Sequence, residues 1–278
     1  MDPVGKALWF VESNFAAEIS LDAIAAVSGV SRYHLCRAFG AATGRSVMRY
    51  VRGRRLSEAA RALAAGAPDI LAVALDWGYG SHEAFTRAFR DQFGTTPEQV
   101  RAQRDLATLD LVEAIKMTDR QPTALEPPRF VTGKSLLIAG LGARFTFERA
   151  AGIPALWQRF APHTGQLPGQ IGTVAYGVCF NTDDGDGSFD YLAGVEVGSF
   201  AELDPGFARV RIPEQHYAVF IHRAHVSALQ STFQAIWRDW LPRSGRRASD
   251  GPSFERYDAA FDPRTGTGPV EVWVPLQD

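Results

Sequence analysis

The chain has 278 residues, 46% of them hydrophobic and 22% charged, with a formal net charge of -2. This length and balance fits two ordinary globular domains, excludes a disordered chain and, taken as an average, argues against nucleic acid as a partner. No run of about 18 apolar residues occurs, and the start "MDPVGKALWF" lacks the basic and apolar regions of a signal peptide, so a cytoplasmic protein without membrane contact is expected. Cys36 and Cys179 stand far apart with no CxxC spacing, which argues against a disulfide framework or a zinc site and predicts two reduced thiols.

From the N-terminus, the first predicted elements form a unit that is written twice. Leu35, Arg37, Ala38, Phe39 and Gly44 match Phe85, Arg87, Ala88, Phe89 and Gly94 at a spacing of fifty, and Ile24, Ala25 and Gly29 match Val73, Ala74 and Gly78 at forty-nine. The one-residue difference falls where a turn is expected and an insertion costs little. Each copy reads as a short helix ("SLDAIAAVS", "DILAVALDW"), a glycine turn, and a second helix whose buried face carries Leu35 and Phe39 or Phe85 and Phe89, four apart. This is a helix-turn-helix pattern, with Ser20, Ser31 and Ser81 as expected N-caps.

The same periodicity turns Arg32, Tyr33, Cys36 and Arg37 of the first copy, and His82, Glu83, Thr86 and Arg87 of the second, away from the buried face. A recognition helix lays such residues along the major groove, where arginine reads guanine and smaller polar groups read other base edges. Ser31 and Ser81 stand at the exposed amide ends, where phosphate can also be held. The opposing reading is structural: arginine bonded to neighbouring helices, cysteine as a small packing residue. Between Val30 and Arg61 eight arginines face one acid, Glu58, so the overall charge conceals a basic segment. The stretch Ser46 to Gly66 between the copies reads as one long helix, about 30 Å at about 1.5 Å per residue, enough to hold two reading heads one DNA turn apart. The first copy, beside the arginines, is expected to anchor the protein; the second, with Glu83, to read more weakly.

The stretch "LDAIAAVSGVSRYHLCRAF" with "TGRSVMRYVRGRRLSEAARAL" and "ILAVALDWGYGSHEAFTRAFRDQFGTTPEQVR" resembles the AraC/XylS family of bacterial transcription regulators over about residues 5 to 105. The resemblance implies seven helices, two helix-turn-helix motifs, double-stranded DNA as partner, and contact positions at Ser31, Arg32, Tyr33, Cys36, Arg37, Ser81, His82, Glu83, Thr86 and Arg87. RNA polymerase stays open as a further partner. Gly80 and Val100 depart from the family pattern, where a longer side chain and an aromatic residue are usual.

A domain over 1–108 is followed by a helix end and linker over 109–128, marked by "DRQPTALEPPR", and then by a strand-rich, aromatic half over 129–278. Its strands and helices run in the order strand, helix, two strands, twice over, which predicts an α+β domain built from a duplicated β-α-β-β unit after the all-α first domain. "YAVFIHRAHVSALQSTFQAIWRDWLPRSG", "PSFERYDAAFD" and "VEVWVPL" resemble the GyrI-like small-molecule-binding domain, giving the whole chain a Rob-type arrangement. That resemblance implies a cleft lined by aromatic residues around an acid, suited to a bulky cationic or amphipathic effector, for which cation–π attraction and a carboxylate are the right chemistry.

Alternation along "SFERYDA" puts Glu255 and Tyr257 on one strand face, and along "VEVWV" it pairs Glu271 with Trp273. Glu255 matches the family's pocket glutamate; Tyr176, Tyr217, Trp157 and Trp273 are candidate walls, and each also reads as ordinary core. The alternative function is a hydrolase of reactive small molecules, with Glu255 as general base and Tyr257 assisting. His216, His222 and His225 lack metal-ligand spacing, and no cofactor is expected.

Overall fold

The computed structural model describes residues 2–115, 125–183 and 187–277. Seven helices come first: α1 (Pro3–Asn14), α2 (Leu21–Ser28), α3 (Arg32–Thr43), α4 (Val47–Ala64), α5 (Ile70–Asp76), α6 (His82–Phe93) and α7 (Pro97–Gln103). Their starts are fixed by side-chain caps, since a helix leaves its first amide groups without internal partners. Ser20, Ser31, Ser46, Ser81 and Thr96 each accept a backbone N–H three residues on. In both motifs the turn between the short helices needs a left-handed residue, supplied by Gly29 (φ 74°) and Gly78 (φ 80°).

Leu35 and Phe39 of α3 pack with Val4, Leu8, Val11 and Ile24, while Phe85 and Phe89 of α6 pack with Leu63, Ile70, Val73 and Val100. α4 joins the two cores, giving Val47, Tyr50 and Val51 to the first and Leu56, Ala60 and Leu63 to the second. One helix thus serves as spine for both reading units. The helix expected to reach beyond residue 108 ends at Gln103, where Arg104 takes a left-handed φ of 54°. Residues up to 115 then run along α4 without regular structure: Val112 donates its N–H to Ser57, and Ile115 donates to the Tyr50 hydroxyl. Of the expected linker, residues 116–124 lie outside the described residues.

The second half is β1 (Arg129–Gly133), β2 (Leu136–Thr146), α8 (Ile153–Phe160), β3 (Gln170–Phe180), β4 (Ser188–Val197), β5 (Ala208–Ile212), β6 (Gln215–His222), α9 (Leu229–Gln234), α10 (Leu241–Arg243), β7 (Ser253–Tyr257) and β8 (Val270–Leu276). α9 continues through a π-helical segment, Ala235–Trp240, into α10. Among the described residues the strands form one antiparallel sheet in the order β1-β6-β8-β7-β3-β4-β2-β5. The expected β-α-β-β unit is corrected on two counts. A short leading strand, β1, precedes "SLLIAGLGARF", and the apparent single strand "FARVRIPEQHYAVFIH" is two, β5 and β6, parted at Pro213, which has no N–H to give a ladder. Each half therefore runs strand, strand, helix, strand, strand.

α8 and the α9–α10 segment cover one sheet face. Leu156 and Phe160 pack on Ala139, Tyr191 and Val195, and Ile236 and Trp237 pack on Ala218, Phe220, Val272 and Val274. The opposite face carries its own core of Ile138, Tyr176, Val178, Leu192, Tyr217 and Phe254. Over the middle of the helical face, above β3 and β7, lies α3 of the first half: Arg37 reaches Ser253 and Cys179, and a Cβ at Gly40 would collide with the Phe147 ring.

Candidate effector and DNA sites

The centre of the second half is Glu255 on β7. Alternation places Ser253, Glu255 and Tyr257 on the helical face and Phe254 on the other. Glu255 is only 8% exposed. Its Oε2 accepts from the Tyr191 hydroxyl at 2.6 Å and from the Tyr257 hydroxyl at 2.9 Å. Trp157 of α8 donates its Nε1–H to the Tyr191 oxygen at 3.0 Å and meets the Tyr257 ring edge to face, centroids 5.1 Å apart. Gly177, paired with Glu255 across the β3–β7 ladder, leaves room for both the Tyr191 hydroxyl and the carboxylate.

Burial raises the Glu255 carboxyl above the ordinary range, opposed by the two tyrosine hydrogen bonds and by the positive charge of Arg37. Burial, and then the neighbouring Glu255 charge, push Tyr191 and Tyr257 well above the usual phenol value, so both remain donors. Burial also raises the Cys179 thiol, against the Arg37 charge. The result is a carboxylate held in aromatic surroundings with fixed donors on one oxygen, an arrangement that attracts a cation with apolar bulk.

The structure divides the expected wall. Glu255, Tyr257 and Trp157 come together. Tyr176, Tyr217, Trp273 and Glu271 belong to the opposite face or its edge, where Phe254 stacks on Trp273 with centroids 5.1 Å apart, Tyr217 meets both rings, and Glu271 pairs with Arg256 and accepts from Trp273 Nε1. The reason is strand parity: residues 176, 217, 254 and 273 have the opposite sense to 255 and 257. A shallow cleft of about 160 Å³ near Phe130, Thr132, His216, Tyr217 and Arg246 lies at the β1 edge of the sheet, away from Glu255, and has no acidic lining residue. Tyr191 was missed. β4 is buried on both faces, so it shows no alternation to say which of its residues point at Glu255. The histidines are spread over ordinary bonds, with His222 to Thr232 at 2.7 Å and His216 to Thr132 at 3.0 Å. The hydrolase alternative is not favoured: Tyr191 and Tyr257 both donate to Glu255 Oε2, so the oxygen that faces its aromatic neighbours is already engaged in hydrogen bonds within the fold.

The two reading helices differ in access. On α6, Ser81 caps the helix, Glu83 and Arg87 are exposed, Thr86 is half-buried, and His82 Nε2 lies 3.0 Å from Glu98 at the start of α7. On α3, Ser31 caps the helix and Arg32 lies 3.4 Å from Asp22 at the surface. Tyr33, Cys36, Arg37 and Gly40 share one face at helical spacing. Cys36 is fully buried and Arg37 is 6% exposed. The Tyr33 hydroxyl donates to the Gly251 carbonyl at 3.4 Å, His34 Nε2 donates to the Trp237 carbonyl at 2.8 Å, and Gln234 donates to the Ala41 carbonyl. In this conformation the copy expected to anchor the protein is covered and the other is open. The basic segment is also partly structural. Arg54 binds Glu12 and Glu58, both at 3.0 Å, and the Val112 carbonyl; Arg55 binds the Phe15 and Ala17 carbonyls; Arg61 binds Glu58 and Glu113.

A helical half with two helix-turn-helix units and a sheet half with an acid in an aromatic setting define a DNA reader joined to a small-molecule-binding domain. The model of the GyrI-like small molecule binding domain matches residues 126–277, and that of a helix-turn-helix domain matches residues 24–103. The chain belongs to the GyrI-like family and is an AraC-type DNA-binding transcription regulator. The transcriptional regulator Rob of Salmonella typhimurium is 25% identical over 277 residues, spanning 95% of this chain and 93% of its own. The right origin-binding protein of Escherichia coli is 24% identical over 285 residues, spanning 97% and 96%. A crystal structure of a transcriptional regulator with an AraC-type DNA-binding domain from Chromobacterium violaceum is 31% identical, covers 38% of this chain and 94% of that one, and superposes with a TM-score of 0.36.

Proposed function

We propose that this regulator reads two successive major-groove segments with α3 and α6, and that a small hydrophobic cation bound at Glu255 sets its activity. Residues 1–108 act as the DNA-binding unit, 109–128 as the connector and 129–278 as the effector unit, working in the cytoplasm where the DNA is. Contact roles fall on Ser31, Arg32, Tyr33, Cys36 and Arg37 and on Ser81, His82, Glu83, Thr86 and Arg87. The 18 residues of α4 span about 27 Å at about 1.5 Å each, close to the roughly 34 Å of one DNA turn.

The observation that carries the effector reading is the buried Glu255 carboxylate with Tyr191, Tyr257 and Trp157 around it. Removing a carboxylate from water is unfavourable unless a partner returns the interaction, so such a group is retained where a cation is to be bound. The domain binds without turning its ligand over. Calorimetric titration with tetraphenylphosphonium and with its isosteric anion, tetraphenylborate, tests this: the cation is expected to bind, the anion to fail, and Glu255→Gln to weaken the cation at least tenfold. Equal binding of both ions, or no effect of the substitution, would remove Glu255 from the site.

A further inference from the structure

The face of α3 that a recognition helix turns to DNA is the face docked on the effector domain. Tyr33, Cys36, Arg37 and Gly40 form it, and the half-turn beside it is held by His34 to the Trp237 carbonyl and Gln234 to the Ala41 carbonyl. At its centre the Arg37 guanidinium binds Ser253 and Cys179, residues paired with each other across β3 and β7, one step along the same sheet face from the Gly177–Glu255 pair. Its carbon lies 5.4 Å from the Trp237 ring centre and 5.7 Å from that of Tyr33. A planar cation supplied by the DNA reader itself therefore already lies beside Glu255, one residue pair along the ladder, and its charge acts on the carboxyl.

From this juxtaposition we infer that Arg37 is an internal stand-in for the effector: it locks α3 against the sheet, and an external cation taken up at Glu255 displaces it and frees α3 for the major groove. The inference rests on the reading of Glu255 as a cation site. The two occupants exclude each other by charge, because a second cation beside Arg37 is repelled, most strongly where the carboxyl between them is buried, as Glu255 is at 8% exposure. The lock is also imperfectly made. Arg37 Nε is buried without a hydrogen-bond partner, and the thiol of Cys179 is a weak acceptor, so the guanidinium leaves more readily than one in a full ion pair. DNA and cation both prefer the undocked form, so each must strengthen binding of the other by the same factor.

The effector class follows from what has to be replaced. It is a cation with flat or bulky aromatic surface, able to pack on Trp157, Tyr257 and the ring of Trp237 that Arg37 vacates. A compact, strongly hydrated ion such as potassium or ammonium has no such surface to offer.

The full chain tests this with tetraphenylphosphonium. Removing the competitor is expected to tighten ligand binding, so Arg37→Gln should bind the cation about tenfold more strongly than the parent if the docked form is about 90% populated. In the parent, iodoacetamide labelling mapped to Cys36 should accelerate when the cation is added. A DNA duplex selected by the parent from a random pool should bind more tightly in its presence. If the cation binds through Glu255 but Arg37→Gln leaves its affinity unchanged and Cys36 stays protected, the lock is wrong and the effector site stands. If neither parent nor Arg37→Gln binds the cation, the effector reading fails and takes the lock with it. Should Arg37→Gln misfold, the Cys36 measurement on the parent decides alone.

Discussion

Gly177 faces Glu255 across the β3–β7 ladder, and the carboxylate and the Tyr191 hydroxyl close over it so tightly that a methyl group has no room. Gly177→Ala is therefore expected to push Tyr191 and Glu255 apart, costing about 1–3 kcal/mol of stability by overpacking and at least tenfold in tetraphenylphosphonium affinity. Thermal melts and calorimetric titration check it; a variant with parental binding would place the ligand elsewhere.

Tyr191→Phe removes a donor from Glu255 and the acceptor of Trp157 Nε1. Leaving buried polar atoms without partners costs about 1–3 kcal/mol, so the midpoint of chemical denaturation should fall accordingly. A change of less than about 0.5 kcal/mol would mean that water replaces the hydroxyl there.

The raised Glu255 carboxyl gives a pH signature with a definite sign. The folded chain keeps this proton to higher pH than the unfolded one, whose ordinary value is 4.5. Stability from the proton is complete below the unfolded value and is lost as pH rises through the folded one. Glu255→Gln, always neutral, should gain on the parent as pH climbs above about 4.5; paired melts at rising pH check it. A difference that stays flat, or shrinks, would show that the carboxyl is not destabilised by burial.

Arg54 is one of the eight arginines that gave the first half its basic look, yet it joins α1, α4 and the chain after α7 through Glu12, Glu58 and the Val112 carbonyl. Its side chain is 8% exposed and the two glutamates 26%, so Arg54→Ala is expected to cost about 2–4 kcal/mol, less than for a fully buried pair. Arg87→Ala, on the open face of α6, should leave stability unchanged and weaken operator binding by about 1–3 kcal/mol at one base position. Denaturation curves and binding to a panel of mutated operators separate the two effects.

Local structure was legible because its signals are local. Ser31 and Ser81 announce two helices three residues before their first satisfied amides, and Leu35 with Phe39, or Phe85 with Phe89, name the buried side of each. Period-two alternation likewise put Glu255 and Tyr257 on one face. Strand order was not legible, because β3 meets β7 and β1 meets β6 across most of the domain and nothing nearby in sequence records the pairing. Tyr191 and the burial of Arg37 were hidden for the same reason: they depend on contacts 64 and 216 residues away. An arginine on the outer face of a recognition helix looks the same in sequence whether DNA or a second domain covers it.

β8, the last of these strands to be synthesised, is not at a sheet edge but between β6 and β7. The helices α1 to α7 precede every strand in the chain, so the two reading units can fold before the sheet that docks on α3 gains its interior strand.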